Sequence, residues 1–313
     1  MKLQQLRYLV EVERRGLNVS EAAIALFTSQ PGISKQIRLL EDELGVTVFE
    51  RSGKRLTGIT AAGRMVLDQA NRVLREANNL ARVGADCNDS AAGLVTLATT
   101  HTQARYTLPP VIRAFVDRHP GIRLHVQQGS PLQVVQWLID GTAEIGIATE
   151  ALDRHEELIS LPCYQWSHKV VAPKGHPLLA RGPLTLPALA EFPLVTYDAT
   201  FTGRSRIDRA FERQGLKANV VLTAIDSDVI KTYVELGLGV GIIAEMAFDP
   251  ARDTGLEALA ANHLFETNTT RLGLRRDLWL RTCDFDFMAL LAPQLTRRVV
   301  EAAVRGGGGD PGL

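Results

Sequence analysis

The feature that most constrains this chain is one change of hydrophobic period near residue 93. Beyond it, β-rich apolar runs alternate with helical ones. Leu94–Thr99 reads as a strand, about Thr102–Asp117 as a helix, and Ile122–Gln128 as a strand. Pro131–Asp140 then reads as a helix and Glu144–Ala148 as a short buried strand. A strand that returns through a helix re-enters its sheet in the same direction, so this order predicts parallel pairing and an α/β sheet. A second set starts at His168–Ala172. It runs through Leu194–Tyr197, a helix at Arg204–Gln214, strand Asn219–Thr223, helix Asp226–Leu236 and strand Val240–Ile243. Strand-like Thr269–Arg275 and a final helix, Pro293–Val304, follow. No internal repeat is present.

The first 58 residues are different: short helices joined by tight turns, then a hairpin. Leu3, Leu6, Tyr8, Leu9 and Val12 form the stripe of a first helix that stops at Gly16. Asn18 or Ser20 can cap a second helix holding Ala22, Ala23, Ile24 and Leu26. After a turn at Phe27-Thr28, Ser29 caps a third helix with Pro31 in its first turn, where proline is tolerated. Its apolar face is Ile33, Ile37, Leu40 and Leu44, and Gly45 can end it in the left-handed conformation. Val46–Leu56 reads as two short strands around Ser52-Gly53, a wing.

Two short helices and a tight turn make a helix-turn-helix, whose second helix lays its N-terminal part in the DNA major groove. The residues so placed are Ser29, Gln30, Pro31, Ser34, Lys35 and Arg38. Gln and Lys can hydrogen-bond base edges, while Ser and a helix N-terminus suit phosphate. Arg51, Lys54 and Arg55 cluster on the wing, as phosphate contacts or as plain solvated charge. Residues 1–60 hold nine Lys+Arg against seven Asp+Glu, and Glu41-Asp42-Glu43 should lie at the far end of the third helix.

From Thr60 to about Asp86 one long helix is expected. Val66, Ala70, Val73, Ala77 and Leu80 make one apolar row, and Leu67, Leu74 and Ala81 a second. The row packs on its own domain or forms a dimer seam, and two rows favour the seam. The expected boundaries are 1–59 for the DNA-binding domain, 60–92 for the linker helix and hinge, and 93–305 for the α/β part. The tail from Gly306 (GGGGDPGL) should be disordered.

Composition narrows the function classes. At roughly 150 residues per domain, 313 residues make about two domains. No apolar run approaches the ~18 residues of a membrane span, and Gln4, Gln5, Arg7 and Glu11 interrupt the start, so no signal peptide is expected. The cytoplasm is the expected location. Cys87, Cys163 and Cys283 lack metal-ligand or redox-motif spacing. The 35 Lys+Arg balance 35 Asp+Glu, so any basic surface is local.

The runs Leu6-Arg7-Tyr8, Ala22-Ala23, Thr28–Ile37, Leu40–Gly45 and Phe49-Glu50-Arg51 resemble the winged helix-turn-helix of LysR-type transcriptional regulators. Thr57–Gly63 (TGITAAG) resembles that family's entry to its linker helix. The similarity spans the chain: Ala98–Tyr106, Ile147–Leu152, Leu161–Tyr164, Phe201–Ser205 and Asp228–Tyr233 are similar to the CysB-like branch, activators of cysteine biosynthesis and sulfur assimilation. The resemblance implies an N-terminal winged helix-turn-helix, a long linker helix and an α/β effector domain of two Rossmann-like lobes, like periplasmic binding proteins. Lobe one would take about 93–166 and 268–305, lobe two about 167–267. It further implies a homodimer or homotetramer on double-stranded DNA, contact with RNA polymerase, and a small effector in the cleft.

The residues of that cleft point the same way. Thr100, Thr102 and Gln103 lie at a strand-to-helix junction, where hydroxyls, an amide and free backbone N–H groups suit an anion or carboxylate. Thr149 ends a strand, where open α/β sheets bind ligands. Thr202 precedes a helix of the other lobe, and Tyr164 and Trp166 lie at the crossover. Any one of these threonines could be a plain helix cap. By resemblance, Thr100, Thr102, Gln103, Thr149 and Thr202 match the inducer-contacting positions of the CysB-like branch. N-acetylserine is the implied effector, with sulfate, thiosulfate or sulfide as opposing signals and no cofactor or metal. A sister branch that senses adenylyl sulfate remains open.

An enzyme is the competing class. Gly237-Leu238-Gly239-Val240-Gly241 has glycines at dinucleotide-like spacing, but it follows a helix and precedes a strand, the reverse of the required order. No Walker A pattern is present, and the seven histidines form no close metal pair in sequence. A redox sensor at Cys163 has nothing nearby in sequence to lower its pKa.

Overall fold

The computed structural model describes residues 1–53, 55–87, 93–201 and 203–306. Lys54, the expected linker 88–92, Thr202 and the tail 307–313 lie outside the described residues. The chain divides into two compact units, Met1–Gly84 and Ala85–Leu313.

The first unit holds helices α1 (Leu3–Arg14), α2 (Val19–Ala25) and α3 (Gln30–Leu44), a hairpin of β1 (Phe49–Ser52) and β2 (Arg55–Ile59), and the start of α4 (Ala61–Cys87). Asn18, and not Ser20, caps α2: its side chain accepts the N–H of Ser20 and Glu21. Ser29 Oγ accepts the Gly32 N–H at 3.3 Å and opens α3 with Pro31 in the first turn. Gly45 ends α3 at φ +68°. Leu6, Leu9, Ile33, Ile37, Leu40, Phe49 and Leu67 share one core. The hairpin lies three residues later than the sequence suggested. Val48 is fully buried under the helices, and pairing starts only at Phe49.

The second unit contains two five-stranded sheets. The first has the order β4-β3-β5-β12-β6, from β3 (Gly93–Thr99), β4 (Ile122–Gln128), β5 (Ile145–Ala148), β6 (Leu158–Trp166) and β12 (Asn268–Arg275). β3 is parallel to β4 and β5, while β12 runs antiparallel to β5 and β6. Between these strands run α5 (Leu108–Arg118) and α6 (Pro131–Ile139). The second sheet has the order β11-β7-β10-β8-β9, from β7 (His168–Pro173), β8 (Leu194–Tyr197), β9 (Val220–Ala224), β10 (Val240–Ala244) and β11 (Leu256–Ala260). Its helices are α7 (Leu186–Ala190), α8 (Arg204–Arg213) and α9 (Ser227–Glu235). The chain leaves the first sheet at Trp166, enters the second at His168, and returns along β12. Helices α10 (Thr282–Leu291) and α11 (Arg297–Val304) close the first sheet's core with Phe115, Phe287 and Met288.

Three differences from the sequence reading have physical causes. The expected helix from Thr102 starts as a π-turn over Gln103–Thr107 and becomes α-helical at Leu108, ahead of Pro109 and Pro110. The single expected helix Pro293–Val304 is α11 alone. The unexpected α10 is apolar on nearly every side, so it shows no helical period. β6 went unread because Pro162 interrupts its apolar run; the strand tolerates proline because it lies at the sheet's edge.

Candidate DNA-binding surface and effector cleft

On the first unit, Ser29, Gln30, Pro31, Lys35 and Arg38 are exposed along the start of α3, and Ser34 is half-buried. Gln30 Nε2 lies 3.4 Å from Ser34 Oγ, so the amide is held along the helix. A cavity of about 30 Å³ is lined by Ser34, Ile37 and Arg38 of α3 together with Arg51, Gly53 and Leu56 of the hairpin. Recognition helix and wing therefore share one rim. Arg55 is exposed.

Arg51 is not the free cation that the sequence suggested. Its guanidinium donates to Glu41 Oε2 at 2.6 Å. Glu41 is buried, and its Oε1 accepts the N–H of Val48 and of Phe49 at 2.8 and 3.2 Å. The acidic run therefore splits: Asp42 and Glu43 face solvent, whereas Glu41 ties the recognition helix to the wing.

In the second unit, Thr100 follows β3 and Thr102 precedes the π-turn; both are buried. The Thr102 hydroxyl lies beside the buried Tyr197 hydroxyl but makes no well-formed hydrogen bond. Gln103 is fully enclosed, with both ends of its amide engaged: it accepts from the Tyr164 hydroxyl and donates to Thr270 Oγ1 at 3.1 Å. Trp166 Nε1 donates to the same Thr270 oxygen at 3.1 Å. Three expected site residues, Gln103, Tyr164 and Trp166, thus converge on Thr270. Sequence reasoning missed Thr270 because it lies about a hundred residues from each crossover aromatic, with no local motif. Burial pushes the Tyr164 phenol up to about 12, so it stays a neutral donor.

Thr149 follows β5 and is half-buried. Next to it, Glu150 Oε1 accepts the N–H of Gly203 at 2.6 Å, where α8 begins. A second link joins the two sheets' halves through the π-turn. Tyr106 donates its hydroxyl to Asp228 Oδ1 at 2.7 Å, and Arg105 Nε donates to Oδ2 at 3.2 Å. Burial raises the Asp228 pKa, but the Tyr106 hydrogen bond, Lys231 and Arg105 outweigh it and hold the carboxyl below its ordinary value. Lys231 lies 5.4 Å above the Tyr106 ring and is bonded to Asp253 at 2.8 Å and the Ala247 carbonyl at 2.9 Å.

His101, Asp226 and Asp228 bring three ligand atoms within 4.8 Å of one another. Sequence spacing could not show this, because the group forms across the two sheets' halves. Its two carboxylates are already occupied: Asp226 caps α9 at the Val229 N–H, and Asp228 faces Arg105, Tyr106 and Lys231. Two flanking cations make it an ion-pair cluster and a poor metal site. Cys163 is buried and its thiol is pushed up to about 12 by desolvation, so it holds no reactive thiolate near neutral pH. Gly237, at φ +80°, turns the chain from α9 into β10.

Residues 3–64 match the model of the bacterial regulatory helix-turn-helix proteins of the lysR family, and residues 88–295 match the LysR substrate binding domain. The chain belongs to the LysR family of transcriptional regulators. It is 52% identical over 305 residues to the HTH-type transcriptional regulator SsuR of Burkholderia cenocepacia, covering 97% of this chain and 99% of that protein. It is 50% identical over 306 residues to CysB of the same organism, covering 98% of each. The crystal structure of the cofactor-binding domain of the Cbl transcriptional regulator superposes with a TM-score of 0.66 at 46% identity, covering 68% of this chain and 93% of that one. As a LysR regulator the chain is a DNA-binding protein with a domain for a small-molecule effector, and not an enzyme. Among the described residues, no helix is long and apolar enough to cross a membrane.

Proposed function

We propose that this LysR regulator works in the cytoplasm and controls genes of sulfur assimilation and cysteine biosynthesis. Its effector is a small acylated amino acid such as N-acetylserine, held by Thr100, Thr102, Gln103, Thr149 and Thr202, with Tyr164 anchoring Gln103 directly and Trp166 anchoring it through Thr270. The observation that carries the cleft reading is the burial of Thr100, Thr102 and Gln103 together at one strand-to-helix junction, where the Thr102 hydroxyl, beside Tyr197, has no well-formed hydrogen bond. A buried hydroxyl left unbonded costs free energy, which a bound carboxylate or oxyanion would recover. The relatives named CysB and SsuR support the regulon.

Ser29, Gln30, Pro31, Ser34, Lys35 and Arg38 enter the major groove, and Arg51, Lys54 and Arg55 follow the backbone. A dimer seam along α4 places recognition helices in neighbouring half-sites, and a tetramer bridges two such pairs. The effector favours the lobe arrangement to which it binds more tightly; that shift changes DNA bending and exposes a surface for RNA polymerase.

Binding to operator DNA, titrated with N-acetylserine, tests this. Thr100→Val is expected to bind DNA normally and to lose the effector response. A Thr100→Val protein that responds at wild-type concentrations places the effector elsewhere. A response to adenylyl sulfate in place of N-acetylserine assigns the protein to the sister branch.

A further inference from the structure

The wall of the cleft beside Thr149 carries buried polar atoms that the fold does not satisfy. Glu150 uses Oε1 to accept the Gly203 N–H, but its Oε2 is buried without a partner. Burial raises the Glu150 pKa, against the pull of the Gly203 N–H, Arg206 and Arg154. Asn268, the first residue of β12, is fully enclosed, and neither its amide nitrogen nor its oxygen is bonded. Gly203 brings the two residues together. It sits at φ +70°, and a Cβ there would lie 2.6 Å from Asn268 Oδ1 and 3.0 Å from the His168 ring. Only glycine allows this approach, which sets an acceptor and an amide around one point at the start of α8. Enclosed polar groups of this kind are normally paired, so a carboxylate oxygen and a whole amide left open together mark a place for a ligand with matching groups.

We propose that Glu150 and Asn268 form an amide-reading subsite of the effector cleft. Glu150 Oε2 accepts the N–H of an N-acylated amino acid, and Asn268 Nδ2 donates to its acyl carbonyl. This rests on the cleft reading above and adds the source of its selectivity. Sulfate and thiosulfate offer no donor near neutral pH, and a carboxylate repels both. An N-acylated amino acid presents a donor and an acceptor side by side, and its own carboxylate goes to the hydroxyls of Thr100 and Thr102.

Calorimetric titration of the full-length protein with N-acetylserine and, separately, with sulfate tests the subsite. Glu150→Gln keeps an oxygen for the Gly203 N–H and removes the charge. It is expected to weaken N-acetylserine by about tenfold or more and to leave sulfate unchanged or tighter. Asn268→Ala removes an unsatisfied amide. Its ligand-free melting temperature should not fall, while N-acetylserine weakens at least several-fold. Equal changes for both ligands in Glu150→Gln, or no change for either, overturn the subsite. So does an Asn268→Ala protein that melts lower yet binds N-acetylserine as wild type does. If Thr100→Val still removes binding of both ligands, the cleft reading survives that result. Failure of the wild-type protein to bind either ligand overturns both.

Discussion

Arg51 is bonded to Glu41, and the proposed DNA contact asks it to serve phosphate as well. Its guanidinium has five donors and Glu41 takes only part of them, so the proposal needs only the remaining donors for phosphate. Arg51→Ala therefore weakens binding to every sequence and also leaves Glu41 as a buried carboxylate without its cation. Among the described residues Arg55 has no carboxylate partner like Glu41, so Arg55→Ala is the cleaner test of the proposed phosphate contact: the salt slope of DNA binding should fall by about one. Gln30→Ala should instead relax discrimination between operators. Equal loss of discrimination in both variants contradicts this division of labour. Glu41→Ala deprives two buried N–H groups and Arg51 of their acceptor at once, and should cost about 3 kcal/mol in denaturant unfolding of the first unit. The sequence showed that Glu41, Arg51 and the wing exist. It could not show that they meet, because the nine intervening residues include the end of α3 and a turn whose path depends on packing.

Elements were most legible where one face is buried and the other wet. α3 announced itself by its Ser29 cap, its apolar face and Gly45; the cap and Gly45 are present, and Ile33, Ile37 and Leu40 are buried, but Leu44 is exposed. Parallel strands β3, β4 and β5 were legible for a related reason, as short apolar runs between helical ones. Elements buried on all sides or lying at an edge, such as α10 and β6, lack the alternation that pattern-reading needs. The candidate site followed the same rule: threonines at strand ends could be picked out, whereas Thr270, Asn268 and the Glu150–Gly203 link depend on long-range placement. Gly63 gives the TGITAAG run a physical meaning, since a Cβ there would lie 2.1 Å from the Val48 carbonyl oxygen. Gly63→Ala is expected to destabilise the first unit by about 3 kcal/mol, read as a lower urea midpoint, whereas Gly84→Ala, with open space around it, should not. The link from the π-turn to α9 predicts a pH signature. The Asp228 carboxyl is held below its reference value of 3.8, so its contribution is complete above that value and is lost as pH falls through the lower, folded value. The stability gap between wild type and Asp228→Asn should be constant near neutrality and close in acid; a gap that widens on acidification contradicts the link.

At the scale of the whole molecule, α4 carries the argument for assembly. Leu67 and Ala70 are spent on the core of the first unit, whereas Val73 and Leu80, seven residues apart on one face, stay exposed. Exposed apolar side chains at a heptad step are what a helix pair buries. Leu80→Asp with Val73→Asp should lower the sedimentation coefficient to that of a smaller species and weaken operator binding without unfolding the second unit. The central claim is that a DNA-binding unit is governed by an acylated amino acid held at Thr100 and Thr102. It is tested most directly by the thermal shift of the full-length protein with N-acetylserine, O-acetylserine, sulfate, thiosulfate and adenylyl sulfate, in wild type and in Thr100→Val. A ligand at about 100 times its Kd stabilises by roughly 2.7 kcal/mol, which is about 2–4 °C for a domain of this size. The account predicts that shift with N-acetylserine in wild type and none in Thr100→Val. The same shift in both proteins, or none with N-acetylserine in either, would contradict it.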